Sequence, residues 1–239
     1  MDGQVQAVTA AQVQGEPLAP YVVVANKREP SPILVAYAEA AAEVYPLVFI
    51  RARCVNSTWV CLEIMRRYGL VSARALSVEF AVMNRRCVEE IEALGRMPTN
   101  EEALEWLANR GVHMVQIDTG NVLATTDPNA WPGHVVAIVQ GWLVDSAISQ
   151  VSRPEKQIIM PEILLADTQV APKFLRGKEP LMMTTDEGAL ARYNARLADR
   201  SYEAGRGFRS HEGNQEVADA IHRRMQDLLG HPGKERSDG

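Results

Sequence analysis

Long apolar runs are missing from this chain. Its longest uncharged stretches, such as residues 132–142, fall well short of the ~20 residues needed to cross a bilayer. No Lys or Arg precedes Lys27, so the charged start of a secretory signal is not seen either. Basic residues are in the minority, 25 Lys and Arg against 30 Asp and Glu, for a formal charge of −5. No stripe of Lys and Arg is available to neutralise a phosphate backbone, which argues against a nucleic-acid partner. Aromatics are sparse at 6%, yet 46% of residues are hydrophobic, enough for a core and too many for a disordered chain. Only three cysteines occur, an odd number that makes no disulfide framework. These absences lead to the expectation of a cytoplasmic protein with free thiols and no membrane partner.

The motifs of common cofactors and metals are missing too. There is no GxGxxG and no GxxxxGK[ST] to cradle phosphates, and no HExxH. Cys54 and Cys61 stand seven apart with Cys87 far beyond, which is not zinc-ligand spacing. No cofactor or metal is therefore expected.

What is present reads as an α+β pattern, helices in the first half and strands in the middle. Residues 1–19 show no period and read as a flexible arm, followed by a β-branched strand at 20–25. Ser31-Pro32 offers a hydroxyl cap and a first residue with φ preset, opening a helix that Pro46 should stop. A short strand is expected at 47–50. Cys54, Thr58, Cys61, Met65 and Tyr68 then fall on one face of a helix ended by Gly69. Residues 74–83 alternate as a half-buried strand, and Thr99-Asn-Glu-Glu102 is a capping box. Strands follow at 112–117, 134–139, 142–148, 181–184 and 189–195. A last helix over 214–229 carries the stripe Val217, Ile221, Met225 and Leu228. The division expected is an arm at 1–19, a main domain at 20–200 and a C-terminal loop, helix and tail at 201–239.

Among the cysteines, Cys61 lies mid-helix on the apolar face, and Cys87 has no nearby imidazole in sequence. Cys54 differs because it begins a helix. Unpaired N–H groups and the positive end of the helix dipole favour thiolate there, and the same N–H groups can hold an oxyanion. A helix-start position is also expected to leave the thiol partly exposed. A thiolate nucleophile needs a base, and His134 opens the strand 134–139. With Gln140-Gly141 as the two central turn residues, Val136 stands opposite Asp145. His134 and Asp145 then share one face of the sheet as diagonal neighbours. Asp145 is the only acid between Pro128 and Ser152, and a buried carboxylate needs a partner. Trp131, beside Gly133, and Asn56, in the first helical turn, are the candidate substrate-binding side chains; each also has a plain structural role, as core aromatic and helix cap.

The patches Arg53-Cys54-Val-Asn-Ser-Thr58, Gly133-His134-Val-Val-Ala-Ile-Val139 and Gly141-Trp-Leu-Val-Asp145 together resemble the transglutaminase-like branch of the papain-like superfamily. The resemblance spans roughly residues 32–196 as an architecture: N-terminal helices packed on a central antiparallel sheet. It implies that Cys54 is the nucleophile, His134 the general base and acid, and Asp145 the orienting carboxylate of a thioester mechanism. The expected activity is that of a cysteine peptidase, amidase or acyltransferase, acting on a peptide, a protein or a small amide or ester. The alternative is a non-catalytic scaffold of the same fold, gripped by a partner through the N-terminal arm or the C-terminal amphipathic helix.

Overall fold

A computed structural model describes residues 21–25, 28–48, 54–96, 98–117, 131, 133–185, 188–204, 208 and 212–230. The expected arm, the strand reading of 49–50 and most of the stretch leading to His134 lie outside them. Among the described residues the fold mixes five α-helices with one eight-stranded sheet. In chain order these are β1 (Tyr21–Val24), α1 (Pro32–Val48), α2 (Cys54–Arg67), β2 (Arg74–Met83), α3 (Arg85–Leu94), α4 (Asn100–Asn109) and β3 (Met114–Ile117). They are followed by β4 (His134–Val139), β5 (Trp142–Asp145), β6 (Ile163–Asp167), β7 (Leu181–Thr184), β8 (Leu190–Ala195) and α5 (Glu212–Leu228). No helix among the described residues is long and apolar enough to cross a membrane.

The strands lie in the order β1-β6-β5-β4-β2-β8-β7, with β3 paired to the far half of β2. All pairings are antiparallel except that of β1 with β6, which is parallel. The sheet separates two cores. Ala137, Val139, Trp142 and Val144 face the helices and join a core built from α1, α2 and α5. Val136, Ile138 and Leu143 alternate to the other face, where Phe80, Leu164 and Tyr193 complete a second core. Val24 of one edge strand and Leu181 and Met183 of the other belong to that second core, so the sheet curls around it. The stripe Val217, Ile221 and Met225 is buried in the helix core against α1 and α2, so it is used inside the fold rather than offered to a partner.

Several local expectations are corrected. Pro46 does not stop α1, which continues to Val48. The residue before a proline resists the α conformation, but Tyr45 is fully buried and pinned by hydrogen bonds to Tyr37 and to the Ser57 carbonyl. Tertiary packing therefore overrides the local signal, and residues 47 and 48 are helical rather than extended. The Ser31 hydroxyl makes no hydrogen bond among the described residues, so Pro32, not a side-chain cap, marks the helix start. The strand at 142–148 ends early at Asp145, because its Oδ1 accepts the Ala147 N–H at 2.9 Å and turns the chain. β6 was not expected at all. Its residues are buried on both faces and show no alternation, the pattern of an internal strand.

The β4–β5 hairpin has the expected register, Ala137 with Val144 and Val139 with Trp142. Gln140 and Gly141 both have positive φ, 51° and 78°, as a two-residue turn with the twist of its flanking strands requires. Arg28 clamps the turn: its guanidinium donates to the Gln140 and Gly141 carbonyls at 3.1 and 3.0 Å and to Asp167 Oδ1 at 2.8 Å. A Cβ on Gly141 would meet that guanidinium at 3.4 Å in a conformation costing an L residue about 1–2 kcal/mol. Gly141→Ala should lower the free energy of unfolding by about that amount in chemical denaturation. An unchanged midpoint would contradict the turn.

Candidate active site

The site forms where the N-terminus of α2 meets the first residue of β4. Helix and strand are tied together beside it, since Thr58 Oγ1 donates to the Val135 carbonyl at 3.0 Å. The Cys54 thiol reaches the Gly133 carbonyl at 3.7 Å, adjacent in the chain to His134. Cys54 is 8% exposed, more buried than a helix start was expected to leave it, because Val55, Val135, Ala147 and Tyr202 close around it.

His134 is buried and its Nε2 meets Asp145 Oδ2 at 2.7 Å. Asp145 is itself fully buried and accepts two further hydrogen bonds, from the Ala147 N–H at Oδ1 and from the Tyr193 hydroxyl at Oδ2, 2.8 Å away. Three donors on one carboxylate offset the cost of removing it from water. With Nε2 committed to Asp145, Nδ1 is the ring nitrogen left for the thiol of Cys54, which interacts with the imidazole. Phe80 of β2 stacks on the His134 ring at 4.8 Å and 24°, fixing its plane.

Burial alone would disfavour a charged imidazole. The Asp145 carboxylate outweighs it, with help from Cys54, and the pKa of His134 is pushed up from 6.5 to about 10. Burial pushes the thiols of Cys61 and Cys87 up to about 12 and about 11, so both stay protonated. A cysteine at a helix start near a histidine that a carboxylate orients can share a proton with it as thiolate and imidazolium.

The structure thus brings Cys54, His134 and Asp145 together and treats the other candidates unequally. Trp131 lies in the cluster around Cys54, edge-on to Tyr202 at 5.9 Å, with its Nε1 donating to Ser201 Oγ at 2.8 Å. Asn56 is turned to α5 instead, where its amide donates to Asn214 Oδ1 at 2.9 Å. Arg53 lies outside the described residues. Sequence reasoning missed Tyr193 and Phe80, whose strands were expected but whose pairing with each other was not. Among the described residues, no group of three or more His, Cys, Asp or Glu is placed to hold a metal ion. Comparison with protein-family models, with curated proteins and with solved structures returned no match. The functional reading therefore rests on this geometry.

Because the His134 pKa is raised on folding, the pair stabilises the fold fully below about 6.5, the unfolded imidazole's value, and progressively less as pH rises through about 10. Denaturation of wild type and Asp145→Asn across this range should show a stability gap that narrows toward alkaline pH. A gap independent of pH would mean that the imidazole is not charged in the fold.

Proposed function

We propose that this chain is a thiol-dependent acyl-transfer enzyme of a transglutaminase-like, papain-like fold, with Cys54 as nucleophile, His134 as general acid and base, and Asp145 orienting the imidazole. The observation that carries this reading is the placement of His134 between a buried carboxylate at 2.7 Å and a cysteine that heads a helix.

The thiol proton passes to His134 Nδ1, leaving thiolate and imidazolium. Sγ attacks the carbonyl carbon of an amide or ester, and the carbonyl π pair moves onto oxygen. The N–H groups of the first turn of α2 donate to that oxyanion in this reading. As the carbonyl re-forms, the bond to the leaving group breaks, and the leaving group takes the proton from Nδ1. A thioester on Cys54 remains. Water or an amine then attacks it, gives a proton to Nδ1, and expels Sγ. Hydrolysis and transfer share the first half of this sequence. Asp145 holds the ring so that the same nitrogen faces the sulfur in both halves.

The apolar wall around Cys54, with Trp131 and Tyr202, suits the acyl side of a neutral amide or ester in a peptide, a protein or a small molecule. No step calls for a cofactor.

Alkylation by iodoacetamide, followed by peptide mapping, tests the thiolate directly. Cys54 should react much faster at neutral pH than Cys61 or Cys87, whose buried thiols stay protonated. In His134→Ala the labelling of Cys54 should slow toward that of the other two cysteines. Equal, slow labelling of all three cysteines would instead favour a scaffold that keeps the fold without the chemistry.

A further inference from the structure

We infer that Tyr193 is a positioning residue that shares Asp145 Oδ2 with His134 and tempers the carboxylate's hold on the imidazole. The inference deepens the acyl-transfer reading and rests on it for its catalytic consequence, though not for its electrostatics.

The hydroxyl of Tyr193 lies 2.8 Å from the same oxygen that meets His134 Nε2 at 2.7 Å. Tyr193 arrives from β8, two strands beyond β4, across β2. Its ring is fully buried and packs on Phe80 at 4.6 Å, and Phe80 in turn stacks on His134 at 4.8 Å. The three rings form a stack, with Asp145 joining the polar tips of the first and last. Burial, reinforced by the adjacent carboxylate, raises the pKa of Tyr193 well above the ordinary value of 10, so it remains protonated and can only donate to Asp145.

An oxygen that accepts two donors presents less negative charge to each. The groups facing His134 among the described residues are few. Asp145 lies on β5 and Cys54 on α2, while β2 supplies the Phe80 ring and Val78 opposite in register. Among the described residues no other charged side chain meets the imidazole, and Tyr193 is the side chain that modifies the carboxylate's hold on it. This matters because His134 has to work in both directions, giving a proton to the leaving group and taking one from water or an amine. With no second donor on Oδ2, the carboxylate would hold the imidazolium too firmly for the second half.

The test is a ¹⁵N NMR titration of the His134 imidazole, from neutral to alkaline pH, in the full chain and in Tyr193→Phe. Loss of the hydroxyl should raise the titration midpoint by about half a unit to one unit. A packing role alone would leave the midpoint where it is, and an unchanged or lowered value overturns the inference. Where Tyr193→Phe fails to fold, 3-fluorotyrosine at position 193 takes its place. Its more acidic phenol is a stronger donor and should move the midpoint down; no movement, or movement up, counts against the inference. Iodoacetamide labelling of Cys54 in the same samples separates the two claims. A shifted midpoint with an unreactive Cys54 leaves the electrostatic role of Tyr193 standing and rejects acyl transfer, whereas a reactive Cys54 with an unmoved midpoint does the reverse.

Discussion

A carboxylate and an imidazole, both withdrawn from water, are tolerable only as partners, and the bond between His134 and Asp145 meets that need at 2.7 Å. Everything around it depends on a hairpin register set by two turn residues. A slip of one position would turn one of the pair to the helix face of the sheet and leave two buried polar groups unsatisfied. The turn is held in place from outside by Arg28, which grips both turn carbonyls and Asp167 while lying over the Trp142 ring at 4.9 Å. Strand β6, carrying Asp167, thereby also fixes the turn that positions the site.

The helix that Cys54 begins is brought to this pair by a second set of polar contacts on the other face. Tyr37 and Tyr45 of α1 share a hydrogen bond, Tyr37 reaches Ser146 next to Asp145, and Tyr45 reaches the Ser57 carbonyl in the first turn of α2. These groups are buried and satisfy one another, so they specify one docking of α2 rather than a family of slippery hydrophobic alternatives. A helix that begins with the candidate nucleophile has to be placed at its end, not only along its side, and this thread together with Thr58 does so. Stability, fold specificity and the candidate chemistry therefore use overlapping residues.

Much of this was legible locally. Alternation located β2, the capping box located α4, and positive-φ residues at the turn set the partners of β4 and hence the pairing of His134 with Asp145. The start of α2 and the left-handed Gly69 at its end were likewise marked by sequence. Long-range pairing was not legible. β1 lies parallel to β6 although most of the chain separates them, and no periodicity in either announces it. Tyr193 could be placed on a strand, but its position behind Asp145 follows from β8 lying beside β2, which only the assembled sheet reveals. Pro46 shows the reverse failure, a strong local rule overruled because Tyr45 is worth more buried and hydrogen-bonded than a helix stop would be.

A covalent thioester on Cys54 is the central claim, and it can be trapped. Brief exposure of the full chain to p-nitrophenyl acetate, acid quenching and peptide mapping by mass spectrometry should find one acetyl group, carried by the peptide that contains Cys54. The nitrophenolate burst should match it in stoichiometry, and His134→Ala should lose both. Acetylation confined to lysines, or spread evenly over the three cysteines with no burst, would contradict the account.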